Sequence, residues 1–120
     1  MVYVAQSQAL AVLEVLVHLD SPDLLAKYVL LQVSFDSLMV AELDRSILPT
    51  NWRDDPAPIT VQAIGEDWVL AQKSVALRVP STLVPGESNF LLNPRHKDFK
   101  RLSFFAPISF QFDGRLVGKR

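Results

Sequence analysis

Glu14 stands alone among apolar residues in the run 9–17, ALAVLEVLV. A carboxylate in such surroundings either reaches water along a narrow stripe or faces a cavity. At about 100° per residue, Ser7, Ala11, Glu14 and His18 share one narrow sector of a helix, and Leu10, Val12, Leu13, Val15, Leu16 and Val17 cover the rest. A buried, unpaired carboxylate costs roughly several kcal/mol or takes up a proton, so one kept in a pocket marks a candidate functional position. The structural alternative is the solvated edge of a core-facing helix, with Glu14 and His18 as a favourable i,i+4 pair.

Three further polar residues stand at the ends of elements: Tyr3 on a first strand, Ser81 just past a strand over residues 75–79, and Asn93 at the close of NFLLN (residues 89–93). Sites on sheets are built where strands end, because loops vary there on a rigid scaffold. Each has an ordinary alternative: an aromatic of a half-buried strand, a turn former beside Pro80, and a residue biased by Pro94. Other chemistries lack support. His18 and His96 stand apart from any metal-ligand spacing, there is no cysteine, and four glycines form no phosphate-binding loop or nucleophile elbow.

The elements that must position these groups follow from pattern. Residues 2–5 form a short strand leading into a helix capped by Ser7 and running to about Leu19. The stretch 27–35, KYVLLQVSF, predicts one strand, and residues 36–43 a short amphipathic helix or turn. Residues 48–58 hold three prolines, Trp52 and an Asp-Asp pair, which predicts the longest loop, a lid or wall of a site. A second helix spans residues 59–74, with Ile59, Val61, Ile64, Trp68, Leu70 and Ala71 inward and Gly65 tolerated. Strands follow at 75–79, 89–93 and 103–112, the last interrupted or placed at an edge by Pro107. The fold class is α+β, two helices packed on a mixed sheet of four or five strands in one domain over residues 1–120.

Composition excludes several functions. No apolar run approaches the roughly 20 residues of a membrane span, and the start, MVYVAQSQ, has no secretion-signal pattern. The absence of cysteine agrees with a cytoplasmic location. The net charge of −1 hides an asymmetry: residues 1–67 carry ten acids and three bases, residues 68–120 three acids and nine bases. Arg95, His96, Lys97, Lys100 and Arg101 could hold phosphates or an acidic partner, or form a solvated turn. With an overall charge near zero, direct nucleic-acid binding is not expected.

The segments VYVAQSQALAVLEVLVHLD, LPTNWRDDPAPITVQAIGEDWV and LRVPSTLVPGESNFLLNP, followed by HKDF, resemble the RES domain family in order and spacing across nearly the whole chain. Trp52-Arg53, Gly65-Glu66-Asp67-Trp68, Val79-Pro80-Ser81 and Asn93-Pro94 make the likeness specific. The family is named for an arginine, a glutamate and a serine, and the last two match Glu14 and Ser81; its aromatic site residue matches Tyr3. The resemblance implies an ADP-ribosyltransferase-like fold and a bacterial toxin that consumes NAD, by hydrolysis or phosphorolysis of the nicotinamide–ribose bond or by transfer of ADP-ribose to a protein.

On that resemblance Glu14 stabilises oxocarbenium-like charge on the ribose, Ser81 acts beside it on the sugar or pyrophosphate, and Tyr3 and Asn93 contact substrate. NAD is then a substrate, with no cofactor, and the partner is an Xre-like helix-turn-helix antitoxin. RES domains also carry a motif arginine and a Gly-Gly-Arg-Trp-type turn before the strand of Tyr3. Nothing in residues 1–120 matches either, and the role of that arginine does not transfer to Arg53, Arg78 or Arg95. The expectation is therefore the C-terminal two-thirds of a RES domain, with an open sheet edge that favours a homodimer. The rival expectation is a catalytically dead fragment that binds an antitoxin.

Overall fold

A computed structural model describes residues 1–17 and 28–117. In chain order the elements are β1 (Val2–Ala5), α1 (Gln8–Val17), β2 (Tyr28–Leu30), β3 (Val33–Ser34), β4 (Val40–Glu42), α2 (Ile59–Ala71), β5 (Ala76–Pro80), β6 (Ser88–Leu92), β7 (Ser103–Phe104) and β8 (Ile108–Phe110), with short 3-10 turns between them. The main sheet has the order β1-β6-β5-β4 and is mixed, β4 pairing parallel to β5 and the other neighbours antiparallel. Parallel strands need a crossover, and α2 supplies it. The architecture is α+β, as the sequence implies.

Side chains alternate across a strand, so this register divides the sheet into two faces. Val2, Leu92, Ala76 and Val40 lie in one row, and Tyr3, Leu91, Leu77 and Ala41 in the next. The first face carries the apolar core: Val75, Ala76, Leu92 and Leu102 are buried, with Val4, Val33, Phe35, Met39, Val40 and Phe99 packed against them. Phe35 and Phe90 meet edge to face with centroids 5.7 Å apart, a favoured aromatic geometry. The second face carries Tyr3.

Ser7 caps α1 as its sequence position predicts: its Oγ accepts from the Leu10 N–H at 3.2 Å and its carbonyl from the Ala11 N–H. The sequence placed the end of α1 near Leu19; those last residues, and His18 with its proposed pairing, lie outside the described residues. Of the predicted strand 27–35, the described residues 28–35 do not form one strand. They break at Leu31-Gln32 into β2, which pairs with β8, and β3, which pairs with β7, because each half meets a different partner. Pro107 separates β7 from β8, since it cannot donate to a ladder.

Residues 36–43 are a turn over Ser37–Met39, capped by the Asp36 carboxylate on the Leu38 N–H, followed by the edge strand β4. In α2, Ile59 (83% exposed) and Leu70 (76%) face outward, contrary to the periodicity, while Val61 and Ile64 face inward. Gly65 is buried beneath the Met1 side chain, whose methyl lies 3.4 Å from where a Cβ would stand, about an ordinary contact distance. Among the described residues β1 pairs with β6 alone, leaving its other edge open.

Leu92 is fully buried at the centre of the core. Leu92→Ala is expected to lower unfolding free energy by about 2–5 kcal/mol. Urea titration checks this; a change below about 1 kcal/mol would show that the core lies elsewhere.

Candidate active site

The second face of the sheet is not filled with side chains. A cavity of about 550 Å³ lies over it, within the usual range for small-molecule sites. Tyr3, Leu91 and Leu77, adjacent in register on β1, β6 and β5, form its floor. Glu14 and Val15 come from α1, Val61, Ile64 and Gly65 from α2, and Trp52, Arg53, Asp54 and Asp55 from the proline-bounded loop. That loop is a wall of the cavity, as its composition predicts.

Two of the four sequence-predicted residues meet here. The tight β1–α1 connection sends α1 back across the sheet, which places Glu14 beside the strand it has just left. One oxygen of Glu14, Oε1, is shut off from solvent. Tyr3 is half exposed, yet its phenol is pushed up to about 12, first by burial of the hydroxyl and then by the Glu14 carboxylate. Both causes penalise the phenolate. Tyr3 is therefore a neutral hydroxyl at physiological pH, able to donate a hydrogen bond beside an acid.

Ser81 and Asn93 do not line the cavity. Ser81 is buried; its Oγ accepts from the N–H groups of Leu83 and Val84 at 3.1 and 3.0 Å, and its own N–H donates to the Glu87 carbonyl. That turn presents Thr82 and Leu83 to the cavity. Asn93 is fully buried, donating through Nδ2 to the Val69 carbonyl at 3.1 Å and accepting at Oδ1 from the Arg95 N–H at 3.0 Å. It ties the end of α2 to the turn after β6. His96 is also buried, while Arg95, Lys97, Lys100 and Arg101 of the same run are exposed.

Sequence reasoning assigned no role to Arg53, which the structure puts on the cavity wall. Its Nε and Nη2 both donate to the Thr82 carbonyl, at 3.1 and 2.9 Å, and its guanidinium carbon lies 5.9 Å from the Trp52 ring centre. The available signal was an adjacent Trp and Arg in a loop expected to wall a site. Among the described residues no helix is long and apolar enough to cross a membrane.

A family model described as RES domain matches residues 1–113. The chain is similar to a protein named Toxin Res from Yersinia enterocolitica, 47% identical over 116 residues, covering 96% of this chain and 76% of that protein. It is similar to a second Toxin Res, from Photorhabdus laumondii, 42% identical over 118 residues, 97% of this chain and 75% of the other. A protein named Prs ADP-ribosylating toxin, from a Sphingobium species, is 34% identical over 121 residues, 98% of this chain and 75% of its own length.

The raised phenol of Tyr3 makes a pH prediction. The stability it contributes is fully present below the ordinary tyrosine value near 10 and is lost as pH rises from there through about 12. Spectrophotometric titration of Tyr3 against Tyr3→Phe should find its transition near 12, and Glu14→Gln should move it down. A Tyr3 transition near 10, unmoved by Glu14→Gln, would separate the two groups.

Proposed function

The chain belongs to the RES domain family, and on that premise we propose that it binds NAD in the cavity and cleaves the nicotinamide–ribose bond, as a toxin. The observation that carries this reading is the Glu14 carboxylate, with one oxygen shielded from water, set beside a neutral Tyr3 hydroxyl over an open, largely apolar floor. Support also comes from the Sphingobium relative, named as an ADP-ribosylating toxin.

In the reaction the bond between ribose C1′ and the ring nitrogen breaks, its electron pair goes to the nitrogen, and nicotinamide leaves neutral. Positive charge develops on the ribose and is quenched by water, phosphate or a protein nucleophile, whose proton is released. A fixed carboxylate lowers the energy of that charge more than it lowers that of the substrate, which is the condition for raising kcat. Glu14 takes this role, and Tyr3 donates to or stacks on the departing part. We assign Ser81 and Asn93 to the same site through the walls they hold: Ser81 shapes the turn bearing Thr82 and Leu83, and Asn93 fixes α2 against β6. The partner assigned with this activity is an antitoxin of the Xre-like helix-turn-helix kind, supported by the toxin names of the relatives and by the family likeness.

Nicotinamide release from NAD tests the proposal. Glu14→Gln is expected to cut kcat by about 100-fold or more while NAD still binds. Unchanged turnover in that variant, or no turnover in the wild type, overturns it. Wild-type protein that co-purifies with the neighbouring helix-turn-helix product but never releases nicotinamide would leave an antitoxin-binding module instead.

A further inference from the structure

We propose that Arg53 is the residue that holds the diphosphate of the dinucleotide, an assignment that rests on the NAD reading above. Three arginines are candidates. Arg78 belongs to the row facing the core side of the sheet, where its Nη1 donates to Glu42 at 3.1 Å and its Nε to Ser88 Oγ at 3.0 Å. Arg95 lies on the turn after β6, outside the cavity lining. Arg53 is the one lysine or arginine among the described lining residues.

Its donors are arranged for an anion. A guanidinium carries five N–H groups. The Thr82 carbonyl takes one from Nε and one from Nη2, which leaves the second Nη2 hydrogen and both Nη1 hydrogens among the described contacts. A planar fork anchored along one edge presents the next edge in a fixed direction, and paired N–H groups of this kind match phosphate oxygens. The Trp52 ring, 5.9 Å away, further fixes the cation. Because the clasp already restrains this long side chain in the free protein, less of its freedom remains to be lost on binding.

Charge and distance agree with the assignment. Glu14, Asp54 and Asp55 also line the cavity, so without Arg53 a diphosphate would meet carboxylates and no cation among the described lining residues. Thr82 follows Leu77 by five residues along β5 and its turn, which bounds their separation at about 17 Å. Leu77 marks the level of Tyr3, so the clasp lies within one extended dinucleotide of the proposed bond-breaking end.

The experiment is calorimetric binding of ADP-ribose and of adenosine to wild type, Arg53→Lys and Arg53→Gln, beside NAD turnover. ADP-ribose affinity should fall by about tenfold or more in Arg53→Gln and by less in Arg53→Lys, with adenosine affinity unaltered, and the NAD defect should fall on KM more than on kcat. Equal losses for both ligands would reduce Arg53 to a packing role, and unchanged ADP-ribose affinity in both variants would overturn the assignment outright. Should Arg53→Gln not fold, Arg53→Lys decides by the same comparison. Wild type that binds ADP-ribose but leaves NAD intact defeats the cleavage reading while the binding arm still judges Arg53; wild type that turns NAD over, with KM unmoved in the variants, defeats Arg53 alone. Wild type that binds neither ligand overturns both.

Discussion

The constraint on which this structure depends is the placing of one carboxylate over the face of a sheet that the core does not use. One oxygen of Glu14 is shut off from water, and the Tyr3 phenol is kept from ionising first by its own burial and then by the Glu14 carboxylate. A carboxylate so placed requires the opposite face to hold the fold together. That division is visible in the register: Ala76 and Leu92 pack the core, while Leu77 and Leu91, one position along, floor the cavity.

The walls arise from segments with no regular structure of their own. The loop over residues 48–58 cannot join a sheet or continue a helix, and it is held to the turn after β5 by the Arg53 guanidinium on the Thr82 carbonyl. The turn in turn is held by Ser81. A hydroxyl and a guanidinium thus do for two loops what backbone ladders do for strands, tying both walls to each other beside the floor.

Sequence patterns were legible where local physics decides the outcome. The apolar run 9–17 with Ser7 before it specifies α1, Pro80 closes β5, and Pro94 follows the end of β6. β4 was not legible as a strand, because three residues after a turn carry little periodicity and its pairing with β5 forms across the whole of α2. Residues 27–35 carry strand propensity, but which partner each half meets is a long-range choice that propensity does not encode. At the site, Glu14 was legible because a lone acid in an apolar run is conspicuous. Arg53 was not, since an arginine in a polar loop looks the same whether it faces water or a cavity. The positions of Ser81 and Asn93 were legible and the direction of their side chains was not.

The hydrogen bonds of Ser81 bear on how loss-of-function variants of such chains are interpreted. Removing a hydroxyl that secures two backbone amides weakens the turn whether or not that hydroxyl ever approaches a ligand. A variant at Ser81 would therefore disturb the rim whatever the cavity holds, so a defect there, unlike one at a residue lining the cavity, does not by itself report contact with a ligand.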